Sequence, residues 1–290
     1  MTQQTPDIVA VVGGGRMGAG IAQVFATIGA AVTVAEAGDR EAAIGRIEAG
    51  LEAAALRGKL SGISPEEVLA RVTVVAEIDD LPAATALVIE AVPEDLTLKL
   101  DVLTTVEKVV ARETVIASNT SSLPIGDLAA ALSDPSRFLG MHFFNPVPAS
   151  SLVEIVRSEA TEASIVAAAR HWVAALGKED IVVNDFPGFA TSRLGVCLGL
   201  EAIRMLEEGV ADAEAIDRAM ELGYRHAMGP LRSTDLVGLD VRLAIAEHLA
   251  VELGPRFEPP QLLRDKVARG ELGRKTGSGF HTWDTMKEKR

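Results

Sequence analysis

The first half of the chain alternates short apolar runs with longer, alanine-rich stretches of helical periodicity. The short runs are apolar at nearly every position, which is typical of strands buried on both faces of a parallel sheet. The candidate strands are Ile8–Val12, Ala31–Ala35, Val72–Val75, Ala86–Glu90, Val115–Ser118, Phe138–His142, Leu152–Val156 and Ile181–Val183, and the helical stretches include Met17–Ile28, Arg40–Arg57 and Leu96–Val110. This alternation predicts an α/β domain in which helices cover both faces of a mostly parallel sheet.

The pattern changes after the Asp-Phe-Pro-Gly segment at residues 185–188. From Phe189 to Arg269 nearly all of the chain has the pattern of amphipathic helix, interrupted by glycines and Gly-Pro pairs. Apolar residues recur there at helical spacing, at Ile203, Leu206 and Val210 and again at Ile216, Ala219 and Met220. We therefore predict an α/β domain over residues 1–186, followed by an all-helical C-terminal domain over residues 187–290.

The stretch Met17–Ala35 carries no charged side chain and is long enough to be considered as a membrane span. It contains three glycines, however, with Gln23 and Thr27 between them, and it follows closely on the strand Ile8–Val12. A buried helix followed by a buried strand explains this stretch better than a membrane span does. We therefore expect no association with a membrane.

Composition and net charge restrict the possible classes of function further. The 290 residues are 48% hydrophobic and 24% charged, which is typical of a folded globular chain. The net charge of −13 argues against nucleic-acid binding, which depends on Lys and Arg, but a local group of cations can still bind a small anion. The single cysteine, Cys197, excludes an intramolecular disulfide and a cysteine-built metal cluster. We expect a cytoplasmic protein that binds no metal ion.

A glycine-rich motif, Gly13-Gly14-Gly15-Arg16-Met17-Gly18, lies directly after the first predicted strand and opens the next helix. Glycines at its first, third and sixth positions permit a tight turn, close approach of the backbone to a pyrophosphate, and close packing of helix on strand. The helix N-terminus presents free N–H groups to the phosphates. An ordinary glycine-rich turn is the alternative, but the position between strand and helix favours a Rossmann-type site. Its candidate cofactor contacts are Gly13, Gly15, Arg16, Met17 and Gly18.

The second predicted strand, Ala31–Ala35, is followed by Glu36. This is the expected distance from the glycines for a carboxylate that accepts hydrogen bonds from ribose hydroxyls. A 2′-phosphate about 4 Å from this carboxylate would be repelled by about 4 kcal/mol at an effective dielectric constant near 20. Ala37 and Gly38 supply no compensating cation. The sequence therefore predicts NAD, rather than NADP, as the cofactor.

Two segments carry polar side chains in apolar surroundings, one at residues 118–123 and the other around His142. Each follows a predicted strand, and ligands of open α/β sheets bind at the carboxyl ends of strands. A lone histidine is most often an ordinary surface or core residue. His142 differs because Ser121, Asn145 and Glu154 can converge on it.

With these motifs the chain resembles the L-3-hydroxyacyl-CoA dehydrogenase family, in particular its short bacterial 3-hydroxybutyryl-CoA members. The matching segments run from end to end in the family's order: Val11–Ala22, Ser118–Leu123, Met141–Pro148, Leu152–Ile155, Asp185–Phe189, Met228–Pro230, Asp235–Asp240 and Lys275–Phe280. The His-Phe-Phe-Asn-Pro block with a downstream Leu-Val-Glu is far more specific than the glycine motif. The resemblance implies reversible, NAD-dependent oxidation of a short-chain L-3-hydroxyacyl-CoA to the 3-ketoacyl-CoA.

This reaction removes a proton from the alcohol oxygen while a hydride leaves the carbon for the nicotinamide. His142 suits the proton transfer because imidazole titrates near neutral pH. Glu154, on the other ring nitrogen, would fix the tautomer and stabilise the imidazolium; the alternative is a solvated charge at the end of a strand. Ser121 and Asn145 would donate to the substrate oxygen and position cofactor and substrate.

The resemblance also implies that Glu94, Lys99 and Lys275 contact the cofactor, although by themselves they would be interpreted as surface charges. Arg57 and Lys59 resemble the basic stretch that meets the phosphates of coenzyme A. The alternative is equally open, because Lys and Arg are favoured near the C-terminus of any helix.

One position departs from the family pattern. Family members often carry Asn before the Arg that follows Pro-Gly-Phe, where this chain has Ser192. A serine is shorter and offers one hydroxyl, so Ser192 is a candidate substrate contact that acts through water or shifts the preferred acyl group. The resemblance further implies that the helical domain lines part of the substrate cleft and forms a homodimer.

Three other functions fit parts of the pattern. A dehydrogenase of another 3-hydroxy compound, such as carnitine or a sugar acid, would share the glycine motif and the histidine–glutamate pair. A non-catalytic NAD-binding module would keep Gly13–Gly18 and Glu36 but would not need the polar residues around His142. A β-hydroxyacid dehydrogenase with a lysine base is disfavoured, because no lysine lies between Lys108 and Lys178.

Overall fold

The computed structural model describes residues 5–60 and 62–284. The chain forms two compact units that meet in sequence between Phe186 and Pro187. In the described part of the chain, the first unit contains one eight-stranded sheet with helices, and the second is helical apart from two isolated β-bridges near its end.

The strands of the first unit are β1 (Ile8–Val12), β2 (Ala31–Ala35), β3 (Val72–Val75), β4 (Leu87–Glu90), β5 (Val115–Ser118), β6 (Phe138–Phe143), β7 (Leu152–Arg157) and β8 (Glu179–Asn184). They lie in the order β3-β2-β1-β4-β5-β6-β7-β8, and every pair is parallel except β6 with β7. All eight predicted strands are present. The order reverses between β1 and β4, which is where open α/β sheets bind their ligands.

The helices of the first unit are α1 (Arg16–Thr27), α2 (Arg40–Leu56), α3 (Pro65–Leu69), α4 (Leu96–Val109), α5 (Ile125–Ala129) and α6 (Ala163–Ala175). The uncharged stretch that follows the glycine motif is α1 and β2, and its Ile21, Phe25 and Val34 are fully buried. The prediction of a buried helix and strand is therefore confirmed. Among the residues described, the structure contains no helix long and apolar enough to cross a membrane.

The pairing of β6 with β7 decides which polar side chains meet. The two strands are antiparallel, and their register places His142 directly opposite Glu154. Directly opposite residues of an antiparallel pair project from the same face, with Cβ atoms about 4.5–5.5 Å apart. The strand register alone therefore brings the imidazole and the carboxylate together.

The second unit contains α7 (Thr191–Glu207), α8 (Ala213–Gly223), α9 (Pro230–Val237), α10 (Leu239–Leu253) and α11 (Gln261–Ala268). Its core consists of aliphatic side chains and one phenylalanine from this unit, among them Val196, Leu200, Ile203, Ile216, Leu231, Leu249 and Phe257. The buried Asp235 accepts hydrogen bonds from the Phe280 and His281 N–H groups and from Trp283 Nε1. This carboxylate therefore fixes the last described segment against α9.

Candidate active site

The glycine-rich turn between β1 and α1 needs its glycines for identifiable reasons. Gly13 has φ +101°, and a Cβ there would lie 2.8 Å from the Ala91 carbonyl oxygen. A Cβ at Gly18 would lie 1.8 Å from the Gly13 carbonyl oxygen, so only glycine allows α1 to pack this closely on the turn. Gly15, in contrast, faces open space, because a Cβ added there would have no heavy atom of the described chain within 4 Å.

The N-terminus of α1 faces this open side of the turn. Within the described residues, no side chain caps the helix there, and its first turn contains no acidic residue. The N–H groups of this turn are therefore available to an anion, and the helix dipole favours negative charge at this end. Arg16 is exposed and Met17 is half-buried in the same turn. The residues present fit a dinucleotide pyrophosphate.

Glu36 lies at the end of β2, next to the glycine turn. Its carboxylate accepts a hydrogen bond from the Gly14 N–H at 2.7 Å and another from the Gly38 N–H at 2.8 Å. Arg46 of α2 donates to the Gly14 carbonyl oxygen at 3.0 Å. The carboxylate oxygens keep further lone pairs for ribose hydroxyls, so Glu36 both shapes the turn and can bind the ribose.

His142 and Glu154 form a buried pair on β6 and β7. His142 Nδ1 lies 3.1 Å from Glu154 Oε2, and the two residues are 7% and 0% exposed. The Phe144 ring lies 4.4 Å from the imidazole, between centroids. Because the carboxylate is fully buried, the alternative of a solvated strand-end charge is wrong for Glu154.

The loop after β5, which carries Ser121, is hydrogen-bonded to Glu94. One oxygen of the Glu94 carboxylate accepts hydrogen bonds from Thr120 Oγ1 at 2.6 Å and from the Ser121 and Ser122 N–H groups at 2.9 and 3.1 Å. Ser121 Oγ lies 3.3 Å from the same oxygen. Partial burial alone would raise the pKa of this carboxyl, but the Lys99 ammonium and these hydrogen bonds outweigh burial and hold the pKa below its ordinary value of 4.5.

Lys99 is buried rather than exposed, so its interpretation as a surface charge is wrong. Its side chain is 1% exposed, and Nζ lies 2.7 Å from Oε1 of the fully buried Glu90 and 3.3 Å from Glu94. Glu90 also accepts from Ser118 Oγ and from the Val92 N–H. Sequence reasoning missed Glu90, although a carboxylate that ends an otherwise apolar strand is a recognisable signal of a buried polar network.

A cavity of about 470 Å³ lies in the first unit between α1, α2 and the segment that follows β6. Its walls are largely small or apolar, and they carry four cations, Arg16, Arg46, Arg57 and Lys59. Asn145 also contributes to the wall. The structure therefore brings Asn145, which follows His142 by three residues, to the same cavity as the predicted coenzyme A contacts Arg57 and Lys59.

Two candidate residues lie in the second unit. Ser192 is in the first turn of α7, and Lys275 forms a salt bridge with Asp240, with Nζ 2.5 and 2.6 Å from the two carboxylate oxygens. That bridge favours the ionised carboxylate: burial would raise the pKa of Asp240, but the bond to Lys275 holds it below its ordinary value. Among the described residues, no group of three or more His, Cys, Asp or Glu side chains is arranged to hold a metal ion.

The reversed strand order, the glycine turn and the carboxylate that follows β2 define a dinucleotide-binding α/β protein, and the buried histidine–carboxylate pair can supply general acid–base catalysis. The family model described as "3-hydroxyacyl-CoA dehydrogenase, NAD binding domain" matches residues 8–186, and that of the family's C-terminal domain matches residues 188–283. The chain belongs to the 3-hydroxyacyl-CoA dehydrogenase family, which confirms the resemblance seen in its motifs.

Individual relatives agree with the family assignment. The chain is 42% identical over 280 residues to the 3-hydroxybutyryl-CoA dehydrogenase of Mycobacterium tuberculosis, covering 95% of this chain and 98% of that one. It is 36% identical to the mitochondrial hydroxyacyl-coenzyme A dehydrogenase of Sus scrofa, covering 95% and 90%. The crystal structure of (S)-3-hydroxybutyryl-CoA dehydrogenase PaaH1 from Ralstonia eutropha has a TM-score of 0.90 at 39% identity, covering 97% of this chain and 100% of that one.

Proposed function

We propose that the protein interconverts L-3-hydroxyacyl-CoA and 3-ketoacyl-CoA with NAD, and that its preferred acyl group is short, as in 3-hydroxybutyryl-CoA. The buried His142–Glu154 pair carries this proposal, because a non-catalytic nucleotide-binding protein would not need it. The names of the relatives support both the reaction and the short acyl chain.

In this proposal His142 is the general base for alcohol oxidation and the general acid for ketone reduction. Glu154 Oε2, 3.1 Å from Nδ1, keeps the proton on that nitrogen, so that Nε2 is free to accept the hydroxyl proton. The same carboxylate stabilises the imidazolium that forms. Ser121 and Asn145 donate hydrogen bonds to the substrate oxygen and polarise it as its charge changes.

NAD, when bound, supplies the hydride acceptor for this chemistry. The glycine turn and the N-terminus of α1 would hold its pyrophosphate, and Glu36 its ribose. The residues assigned to the cofactor are Gly13, Gly15, Arg16, Met17, Gly18, Glu36, Glu94, Lys99 and Lys275. Lys99 is buried beneath Glu94, so its contribution is to keep the Glu94 carboxylate ionised and in place.

The substrate's coenzyme A moiety is assigned to the cationic cavity of the first unit. Arg57 and Lys59 are exposed at its walls, where they can neutralise phosphates. The small and apolar residues of the remaining wall suit an uncharged pantetheine chain. Ser192 is assigned to the acyl end of the substrate.

We also propose that the protein is a cytoplasmic homodimer. The second unit exposes large aliphatic side chains, including Leu194, Leu222 and Val251 at 70%, 68% and 83%. Exposed apolar groups of this kind are compatible with a protein interface on the helical unit. Sedimentation of the purified protein tests the dimer, because a monomer at micromolar concentration would contradict it.

The activity is tested by following NADH absorbance with acetoacetyl-CoA, with longer 3-ketoacyl-CoA substrates, and with free hydroxy acids such as carnitine. We expect the shortest CoA thioesters to be the best substrates. For His142→Gln, turnover should fall by about two orders of magnitude or more because the general base is lost. NADH affinity should stay near that of the wild type. His171→Gln, the matched control on α6, should leave turnover unchanged.

Two results would contradict the proposal. Faster oxidation of free hydroxy acids than of CoA thioesters would indicate a different member of the dehydrogenase class. Turnover of His142→Gln within a few-fold of wild type would exclude this imidazole as the base.

A further inference from the structure

Lys178 connects the end of α6 to β8 and reaches across to the segment that follows β6. Its Nζ donates hydrogen bonds to the Val147 carbonyl oxygen at 2.7 Å and to the Ser150 carbonyl oxygen at 2.5 Å. These two carbonyls lie three residues apart, so one ammonium group fixes the course of the backbone between them. The side chain is half-buried, and sequence reasoning found no role for it.

The segment held in this way, residues 145–150, forms part of the proposed substrate site. It begins with Asn145, three residues after His142, and residues 145–149 form one wall of the cationic cavity. The segment also packs on α1, because Val147 is 2% exposed and a Cβ added at Gly20 would lie 2.9 Å from Val147 Cβ. Lys178 and α1 therefore both hold the segment, the first by hydrogen bonds and the second by packing.

Lys178 lacks a carboxylate partner among the described residues of the first unit. In the described part of the chain no carboxylate lies within ion-pair distance of Nζ, and backbone oxygens are its hydrogen-bond acceptors. Burial, followed by repulsion from the Lys59 ammonium, lowers the pKa of Lys178 below 10.5. An anion that enters the cavity beside Lys59 would relieve this repulsion.

We propose that Lys178 is a positioning residue for the acyl-CoA substrate: it holds residues 145–150 so that Asn145 and the cavity wall are in place before the substrate binds, and it adds positive charge next to Lys59. The inference rests on the proposed function of the cavity. A preformed wall saves the free energy of ordering a loop on binding, so its loss should weaken acyl-CoA binding more than cofactor binding.

The test compares Lys178→Met and Lys178→Arg with Lys108→Met, a control at a lysine near the end of α4. For Lys178→Met we expect the KM for acetoacetyl-CoA to rise by about tenfold or more, while the NADH dissociation constant changes by less than about twofold. Lys178→Arg, which retains charge and donors, should recover most of the affinity. Hydrogen exchange followed by mass spectrometry should accelerate in peptides that span residues 145–150 and remain unchanged elsewhere.

Three outcomes would overturn the inference. One is an unchanged KM for Lys178→Met together with unchanged exchange in residues 145–150. Another is a parallel loss of NADH binding and of exchange protection throughout the chain, or failure to fold, since either would make Lys178 a general stabilising residue. The third is a Lys178→Arg variant whose acyl-CoA binding is as impaired as that of Lys178→Met. A wild-type protein inactive on CoA thioesters would instead refute the proposed function, and the exchange measurement would still decide whether Lys178 holds the segment.

Discussion

Replacing Glu154 by Gln tests the central assignment most directly. The substitution keeps the size of the side chain and an oxygen that can accept from His142 Nδ1, but it removes the negative charge. Because Glu154 is fully buried and His142 is 7% exposed, water screens this charge poorly. The variant therefore separates the electrostatic role of the carboxylate from its role in orienting the ring.

The magnitude follows from the geometry of the pair. The nitrogen–oxygen distance of 3.1 Å places the centres of the two charged groups somewhat farther apart, at about 4 Å, where unit charges attract by about 4 kcal/mol at an effective dielectric constant near 20. This attraction acts on the imidazolium formed during turnover and not on the neutral ring. Loss of the full amount would slow the reaction by about three orders of magnitude, and the remaining amide dipole reduces the loss to about two.

The assay is NAD-dependent oxidation of 3-hydroxybutyryl-CoA, the direction in which the imidazolium forms, at saturating concentrations of both substrates, with Glu179→Gln as the control. Glu179 begins β8, next to β7, and is exposed, so its substitution should leave kcat unchanged. NADH binding should be the same in both variants. A Glu154→Gln enzyme with kcat within about tenfold of wild type would refute the reasoning, because charge stabilisation of the imidazolium would then contribute little.

Three further predictions concern the first unit. Glu36→Ala combined with Ala37→Arg should relax the preference for NAD, and unchanged relative kcat/KM values for NADH and NADPH would contradict the role of Glu36. Lys99→Met should lower the free energy of unfolding by about 3–5 kcal/mol in urea titrations because it leaves Glu90 buried and unpaired, and adding Glu90→Met should restore part of the loss. Because the pKa of Glu94 is held below 4.5, its carboxylate stabilises the fold above pH 4.5, and this stability is lost as the pH falls through the lowered pKa. The difference in unfolding free energy between wild type and Glu94→Gln should therefore shrink in this acid range. A difference that stays constant with pH would contradict the assignment.

The fold is largely predictable because its strands are continuous apolar runs. Each run can be recognised without knowing its neighbours, and the glycine motif fixes where β1 and α1 meet. The ends of the strands are harder to predict: β8 extends over Glu179–Asn184, beyond the predicted Ile181–Val183, because backbone hydrogen bonds to β7 continue past the apolar residues. Such an extension depends on the partner strand and leaves no signal in the local sequence.

Site residues that lie in a recognisable motif can be predicted from the sequence. Residues whose role depends on tertiary packing are harder to predict. His142 and Glu154 lie in recognisable segments, and their contact follows from the strand register. Lys99 resembles a surface charge in the sequence because its burial depends on Glu90, nine residues earlier and on a different element. No sequence pattern identifies Lys178 as a positioning residue, since its partners are backbone carbonyl oxygens, which every residue possesses.

The antiparallel pairing of β6 and β7 has a consequence for how the enzyme can move. Hydrogen-bonded strands inside a sheet separate only in rare, large-scale openings, whereas surface loops open far more often. Surface loops around the site can therefore rearrange around successive ligands while the His142–Glu154 pair stays assembled. A mutation that loosens those loops should weaken ligand binding yet leave the intrinsic acid–base chemistry of the pair intact.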